Sequence, residues 1–171
     1  MDNNTQHNNK SKISRWGVSP KIVLTFTPFA VFFGILHLIF YPTFAIPVRN
    51  IYMIILGIPF IMIGLIIYLK TIRVINEAYS QSKLLTSGVY AYMRHPLYSA
   101  FALFIIPGIV FLFNSWILFF IPLSYYIIAR MYIKEEEKYC LHKFGKNYEH
   151  YKKHVFAFLP KLKKYKPPPK N

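Results

Sequence analysis

"PLYSAFALFIIPGIVFLFNSWILFFIPLSYYIIA" fills positions 96–129, which are 34 residues between His95 and Arg130 without one Asp, Glu, Lys, Arg or His. A hydrocarbon core takes about 20 helical residues to cross. The run is therefore too long for one span, and it suits two short ones if the backbone turns at Asn114-Ser115. Outward from it lie two more stretches free of acids, Lys and Arg: 27 residues between Lys21 and Arg49, and 20 between Arg49 and Lys70. Each is one span. The predicted fold is an all-α integral membrane protein with four transmembrane helices at about 22–46, 51–69, 97–113 and 116–130. Pro28, Pro42, Pro59, Pro107 and Pro122 fall inside these stretches, where membrane helices tolerate proline by kinking or re-bonding locally.

A net charge of +15 on 171 residues raises the question of nucleic acid. Its distribution answers it. Four Lys/Arg precede the first span, four fall from Lys70 to Arg94, and twelve lie at or beyond the end of the fourth span. The loop between the first two spans has only Arg49, and the Asn114-Ser115 turn has none. A ratio of 20 to 1 is the positive-inside asymmetry of a multi-pass protein with both termini in the cytoplasm. The basic surface then faces anionic lipid, and nucleic acid is not an expected partner. The first apolar run exceeds the roughly 7–15 residues of a signal h-region, and no small-x-small site follows it, so it is read as a retained span. Cys140, the single cysteine, permits neither an intrachain disulfide nor a cysteine metal cluster; a half-buried apolar role is expected.

Residues 1–20 read as a basic N-terminal tail, and 161–171 as a basic, Pro-rich tail that frays from Tyr165 onward. Between the fourth span and that tail, Leu141, Phe144, Tyr148, Tyr151 and Val155 recur at spacings of three and four, one face of a helix. The lysines Lys143, Lys146, Lys152 and Lys153 fall largely off that face. Such a helix normally lies in the membrane interface, and Gly145 is positioned to break it in two.

Two polar groupings stand out. The first is "SGVYAYMRHPLY", Ser87 to Tyr98. Ser87-Gly88 is turn chemistry, and Pro96 suits the first turn of the following helix, where its missing N–H costs nothing. Free N–H groups there, with Arg94 beside them, attract anions. Tyr90, Tyr92 and Tyr98 offer amphipathic surfaces. Arg and Tyr also serve as plain interface anchors, but an anchor does not require Gly, Arg, His, Pro and Tyr in one tight run. The second grouping is Glu135-Glu136-Glu137, three of the six acids in the sequence. As a solvated face it would stabilise little; as a site it could hold a cation or accept bonds from sugar hydroxyls. His150 and His154 are four apart, but no third ligand follows at a telling spacing, so no metal is expected. His37, alone in the first span, reads as a hydrogen-bonded interior group. The seven glycines never form G-x-G-x-x-G or a P-loop, so any nucleotide-like cofactor is held another way.

"LLTSGVYAYMRHPLY", followed across a helical hairpin by "EEEKYCLHKFGKNYEHYKKHV" and "LP", closely resembles the isoprenylcysteine carboxyl methyltransferase family, within the wider phospholipid methyltransferase-like group. The match runs from about Ser82 to Pro160 and makes 21–160 a membrane methyltransferase domain, with cofactor motifs at 82–98 and 135–160. The resemblance implies use of S-adenosylmethionine without a soluble methyltransferase fold. The cofactor pocket would lie at the cytoplasmic edge, closed by the C-terminal amphipathic segment. By matching position, it implies cofactor contacts from Ser82, Lys83, Leu84, Leu85, Tyr90, His95, Pro96, Leu97, Tyr98 and Glu136. The acceptor it implies is lipid-like, such as a prenylcysteine carboxylate, which is ionised at neutral pH and needs no base; an amine or hydroxyl of a small lipid would need one. With the acidic runs aligned on Phe144-Gly145, the arginine that the family carries two residues before its own acidic run falls here at Tyr132, and the nearest arginine is Arg130, expected to stand in for it. Arg130 and Glu136 are thus the expected catalytic residues. A NADPH-dependent sterol-reductase-like enzyme and a non-catalytic membrane scaffold remain the other readings.

Overall fold

The computed structural model describes residues 17–79 and 83–167. Four of the elements are helices with mainly apolar faces: α1, Ser19–Phe40; α2, Asn50–Tyr79; α3, Pro96–Leu112; and α4, Phe120–Phe144, entered through a 3₁₀ turn at Trp116–Phe119. A short helix α5, Lys146–His154, follows. No strand forms among the described residues, only isolated bridges at Ala45–Ser115 and Met93–Phe156. The fold is that of an all-helical, multi-pass membrane protein.

The expectation of four spans needs correcting. Among the described residues three helical stretches are long and apolar enough to cross a membrane: Ser19–Phe40, Asn50–Asn76 and Trp116–Phe144. The fourth, α3, is shorter and at 1.5 Å per residue rises about 26 Å against a core of about 30 Å. The long apolar run does divide at Asn114, but its two halves differ in length. Lys134 to Lys138, all Lys or Glu, are good helix formers, and α4 continues past the apolar boundary to Phe144. Likewise α2 continues past Lys70, while α1 stops at Phe40 because the residue before Pro42 is driven out of the helical region.

α3 is not uniform. Its middle, Phe101–Ile105, is a π-helical turn. Pro107 cannot donate to the Leu103 carbonyl, and the wider turn re-bonds the backbone locally, Ile106 N–H donating to Phe101 O. At the Asn114 end the turn is cross-braced. Asn114 adopts φ 47°, and its Nδ2 donates to Val48 O at 3.1 Å and Asn50 Oδ1 at 2.6 Å. Trp116 N–H donates to Phe44 O. His37 is buried there, but its Nδ1 finds no partner; its ring instead meets Tyr41 and Phe113 edge-on. The hydrogen-bonded role expected for it is thereby corrected on the Nδ1 side.

α1 packs on α4, and α2 packs on α3. In lipid no hydrophobic force drives helices together, so close packing over small residues must. Gly57 lies against the Gly108 backbone, where a methyl group would come within 2.7 Å of the Gly108 carbonyl, and at Gly64 a methyl would meet Ile105 Cγ1 at 2.5 Å. By contrast, nothing lies within 4 Å of such a methyl at Gly34 on α1. Residues such as Leu24, Leu38, Ile55 and Leu69 point outward, available to lipid. Gly57→Ala should therefore lower the thermal unfolding midpoint in detergent, by the equivalent of about 1–3 kcal/mol of overpacking, while Gly34→Ala should leave it unchanged or slightly raised.

Candidate functional site

The segment before α3 takes its shape from one turn. Ser87 is extended and Gly88 adopts φ +58°, a conformation that favours glycine. Residues Gly88–Ala91 close a 3₁₀ turn, and Tyr90 N–H donates to Ser87 O. The segment that follows α5 then runs alongside. Arg94 N–H donates to Phe156 O at 2.8 Å, His95 N–H to Ala157 O at 2.9 Å, Lys161 N–H to Tyr92 O and Tyr165 N–H to Ala91 O, both at 2.9 Å. Ser99 Oγ adds a buried bond to Phe158 O at 2.8 Å. Residues 156–165 are thus a strap laid on the loop. This corrects one expectation: Tyr165 is docked rather than frayed.

The loop beneath the strap is tied to α4 and α5 by a carboxylate that the resemblance did not single out. Glu137, on α4, accepts from Arg94 through Nε at 3.1 Å and through a second guanidinium nitrogen. His95 Nε2 lies 3.2 Å from the same oxygen, and Lys152 of α5 reaches the other oxygen at 2.8 Å. The Glu137 side chain is only 12% exposed and that of Arg94 10%. Arg94 also donates to the carbonyls of Lys152 and Val155. Burying charge is costly unless every group is paired and hydrogen-bonded, and here each carboxylate oxygen faces a cation. The ion pair between Lys21 and Glu135, at 2.6 Å but more than half exposed on both sides, contributes little.

Gly145, at φ +52°, lets the backbone turn sharply from α4 into α5, as its place in the sequence implied. Most of the apolar stripe is buried within the protein. Tyr148, Tyr151 and Val155 pack with Ala91 and Tyr165, flanked by Leu84, Cys140 and Phe144, while Leu141 stays exposed. Tyr151 donates its hydroxyl to Tyr90 O at 2.6 Å, and burial holds its phenol above the usual range. One face of the helix expected in the membrane interface is thus packed on the loop. His150 and His154 are part of the same packing: His150 Nδ1 lies 3.0 Å from the Tyr165 hydroxyl, and His154 Nδ1–H donates to His150 O.

One residue earlier on α4, Glu136 faces elsewhere. Tyr98 donates to its Oε2 at 3.1 Å, and the two border a cavity of about 60 Å³. Tyr90, Arg94, His95 and Leu97 form one side of it, and Ile72, Ile75 and Asn76 of α2 the other. Burial, with the Glu136 charge second, raises the Tyr90 phenol well above its ordinary value, keeping it a neutral donor. Gly17 closes the remaining side: a side chain there would come within 3.3 Å of both Glu136 oxygens and of the Tyr98 hydroxyl. Ser19 Oγ lies 3.4 Å from that hydroxyl.

Five of the residues implied by the resemblance (Tyr90, His95, Leu97, Tyr98 and Glu136) border this one cavity. Pro96 is fully buried at the first turn of α3. Lys83 is exposed and Leu84 and Leu85 are half-buried; none of the three lines the cavity. Ser82 lies outside the described residues, as does the N-terminal tail up to residue 16. Arg130 is exposed and bonds Tyr126 through Nη1 at 3.1 Å. It precedes Glu136 by six residues, about 120° around the helix and about 9 Å along it. Tyr132, at the position of the family's arginine, is bonded to Thr25 of α1 at 2.9 Å. Sequence reasoning missed the roles of Glu137 and Lys152, and of α2 altogether. The i, i+3, i+4 spacing of Ile72, Ile75 and Asn76 beyond the charged Lys70 was the available signal.

The molecule is thus an apolar, membrane-type helix bundle with a recess of mixed polarity beside a buried ion network at one end. The chain belongs to the isoprenylcysteine carboxyl methyltransferase (ICMT) family, whose model matches residues 39–142, more than half its length. It is 38% identical over 94 residues to protein-S-isoprenylcysteine O-methyltransferase of Xenopus laevis, covering 55% of this chain and 33% of that one. With the proteins of the same name from Dictyostelium discoideum and Homo sapiens the identities are 34% over 77 residues and 38% over 88. Those matches cover 45% and 52% of this chain, and 32% and 31% of the relatives. The chain thus spans about a third of the length of these curated relatives. No solved structure matches it.

Glu137→Gln should release the strap. Breaking a buried charge network by removing one partner costs about 3–5 kcal/mol, and trypsin should then cut at Lys152, Lys153 or Lys161 far faster than in the parent. Glu135→Gln, which breaks only the exposed pair, should leave the digestion pattern unchanged.

Proposed function

We propose that this protein is a membrane methyltransferase that uses S-adenosylmethionine to methylate a prenylcysteine-type carboxylate at the membrane edge. The observation that carries the reading is that Tyr90, His95, Tyr98 and Glu136, drawn from two distant stretches of sequence, border one cavity. The acceptor class comes from the relatives, which are named for O-methylation of protein S-isoprenylcysteine.

The donor set fits such a cofactor. A carboxylate and two phenols share the lining with the apolar side chains of Ile72, Ile75 and Leu97, the mixture that a ribose, a charged amino-acid end and an adenine ring require. Glu136 would accept bonds from ribose hydroxyls or face the cationic sulfur, and Tyr90 would supply a neutral donor. When bound, S-adenosylmethionine supplies a methyl group already activated by positive sulfur. The protein's work is then alignment and exclusion of water: a carboxylate acceptor needs no base, and none of the cavity residues has to serve as one. A recess of about 60 Å³ is well below the roughly 300–1,000 Å³ of a small-molecule site. Entry therefore requires Gly17–Ser19 to lift from Tyr98 and Glu136. The polar contact to be broken there is one hydroxyl pair at 3.4 Å, while Val18 between the two residues is buried in the core.

Titration with labelled S-adenosylmethionine and with NADPH tests the reading directly. The methyl donor should bind and the nicotinamide should not. Glu136→Ala should weaken binding about ten- to a hundredfold, the loss of a charge-assisted bond, with Glu135→Ala as the unaffected control. NADPH binding in place of S-adenosylmethionine would make the protein a reductase-like enzyme.

Arg130 is proposed as the acceptor-orienting group. Its guanidinium is exposed at the end of the apolar part of α4 and rests on Tyr126, bonding its hydroxyl through one nitrogen, which leaves donors for a carboxylate. Arg130→Ala should raise KM for a prenylcysteine analogue and spare S-adenosylmethionine affinity; an unchanged KM would reduce Arg130 to an interface anchor.

The basic end of the bundle, with Gly88 and the strap, is proposed to be cytoplasmic, and Arg49 and Asn114 to face the other side, on the 20-to-1 charge asymmetry. In a Cys140→Ser background, an impermeant thiol reagent applied outside should label Arg49→Cys and miss Gly88→Cys. The reverse pattern would invert the topology.

A further inference from the structure

The last turns of α2 carry two stripes. Ile72, Ile75 and Asn76 line the Glu136 cavity. Lys70, Arg73 and Val74, at the same spacing, line a second, open groove of about 310 Å³ on another side of the helix. Val89 and Tyr92 of the loop before α3 complete it, together with Lys164 of the strap. Gly88 sits close to α2 here, a side chain at that position meeting Val74 at 3.1 Å.

Three cations, two from α2 and one from the distant strap, thus border one recess. Lys70, Arg73 and Lys164 are all exposed, and none of them belongs to an ion pair among the described residues. That differs from Arg94 and Lys152 on Glu137, or Lys153 on Glu149. Like charges gathered around one recess repel unless an anion joins them. The remaining wall, Val74, Val89 and the Tyr92 ring, is of no use to a free inorganic anion. Directly along α2, one and two turns from Arg73, Leu69 and Ile66 point outward at 63% and 49% exposure. The groove therefore opens where the apolar part of the helix ends.

We propose that this groove binds the headgroup of an anionic phospholipid. The phosphate lies among Lys70, Arg73 and Lys164, the glycerol region rests on Val74 and Tyr92, and the acyl tails descend along Leu69 and Ile66. Basic recesses between membrane helices are suited to such headgroups. The lipid would join α2 to the strap, since Lys164 is next to Tyr165, which bonds Ala91. It therefore steadies two of the elements that surround the Glu136 cavity. This binding does not depend on the identity of the methyl acceptor or on methyl transfer.

Native mass spectrometry of the detergent-purified full-length protein with short-chain phosphatidylglycerol, phosphatidylcholine or inorganic phosphate is the test. One phosphatidylglycerol should bind in preference to phosphatidylcholine. Each Lys or Arg replaced by Gln at 70, 73 or 164 should cost about fivefold in affinity, and the triple replacement about a hundredfold. The unaltered protein should lose phosphatidylglycerol affinity as ionic strength rises, a measurement that does not depend on any variant folding. Equal affinity for the two lipids, a salt-independent affinity, or an unchanged triple variant would overturn the proposal. So would inorganic phosphate competing as strongly as the lipid, which would make the groove a free-anion site.

Discussion

A carboxylate taken out of water needs cations placed around it, and at Glu137 those cations come from different parts of the sequence. Arg94 and His95 stand before α3, and Lys152 stands on α5. Glu137 itself stands on α4, so one carboxylate ties three elements together. The charge network is what fixes their relative positions at this end of the bundle. It also fixes the rotation of α4. Successive helical residues diverge by about 100°, so once Glu137 faces Arg94 and Lys152, Glu136 is turned toward Tyr98. One carboxylate is fully committed to structure, and its neighbour is thereby aimed into the cavity.

The other end of the molecule relies on different forces. Deep in the apolar region the helices have no charge network to hold them, and lipid competes equally well for every exposed Leu and Ile. Contact between α2 and α3 is therefore concentrated where Gly57, Gly64 and Gly108 let backbone and side chains approach closely. That seam sets the direction of α2, whose continuation beyond Lys70 brings Ile72, Ile75 and Asn76 to the cavity. The site is thus assembled from a dry seam of small residues and a buried ion network, with the Asn114 bonds bracing the far end.

Much of this was legible in the residues. Uncharged runs marked the apolar helices, Asn114 marked the turn, and Gly145 marked the break between α4 and α5. The lengths of the helices were less legible. Charge marks where the hydrocarbon ends but does not mark where a helix ends, and Lys134 to Lys143 continue α4 through that boundary. The strap left no signal at all. Its bonds to Ala91, Tyr92, Arg94 and His95 are mostly backbone to backbone, and backbone pairing outside regular strands imposes no side-chain pattern. Within the acidic run, composition could not tell Glu136 from Glu137. Only the helix rotation separates the residue that borders the cavity from the residue that pairs with Arg94 and Lys152.

The excess of basic residues likewise has more than one meaning. Counting Lys and Arg by loop treats them alike and yields only an orientation. In the folded protein they divide by partner. Arg94 and Lys152 pair with Glu137, Lys21 with Glu135 and Lys153 with Glu149. The pairs on Glu137 are buried at the carboxylate and structural, and the other two are exposed and weak. With six acids against 21 Lys and Arg, most of the basic side chains outnumber any acidic partner the sequence could supply. Their charge must be balanced by counterions or by anionic groups of the membrane. Where such cations are scattered, that balance is diffuse; where the fold gathers Lys70, Arg73 and Lys164 around an apolar wall, it becomes local. The same excess of charge that orients the protein can in that way also create specific contact with the bilayer it sits in.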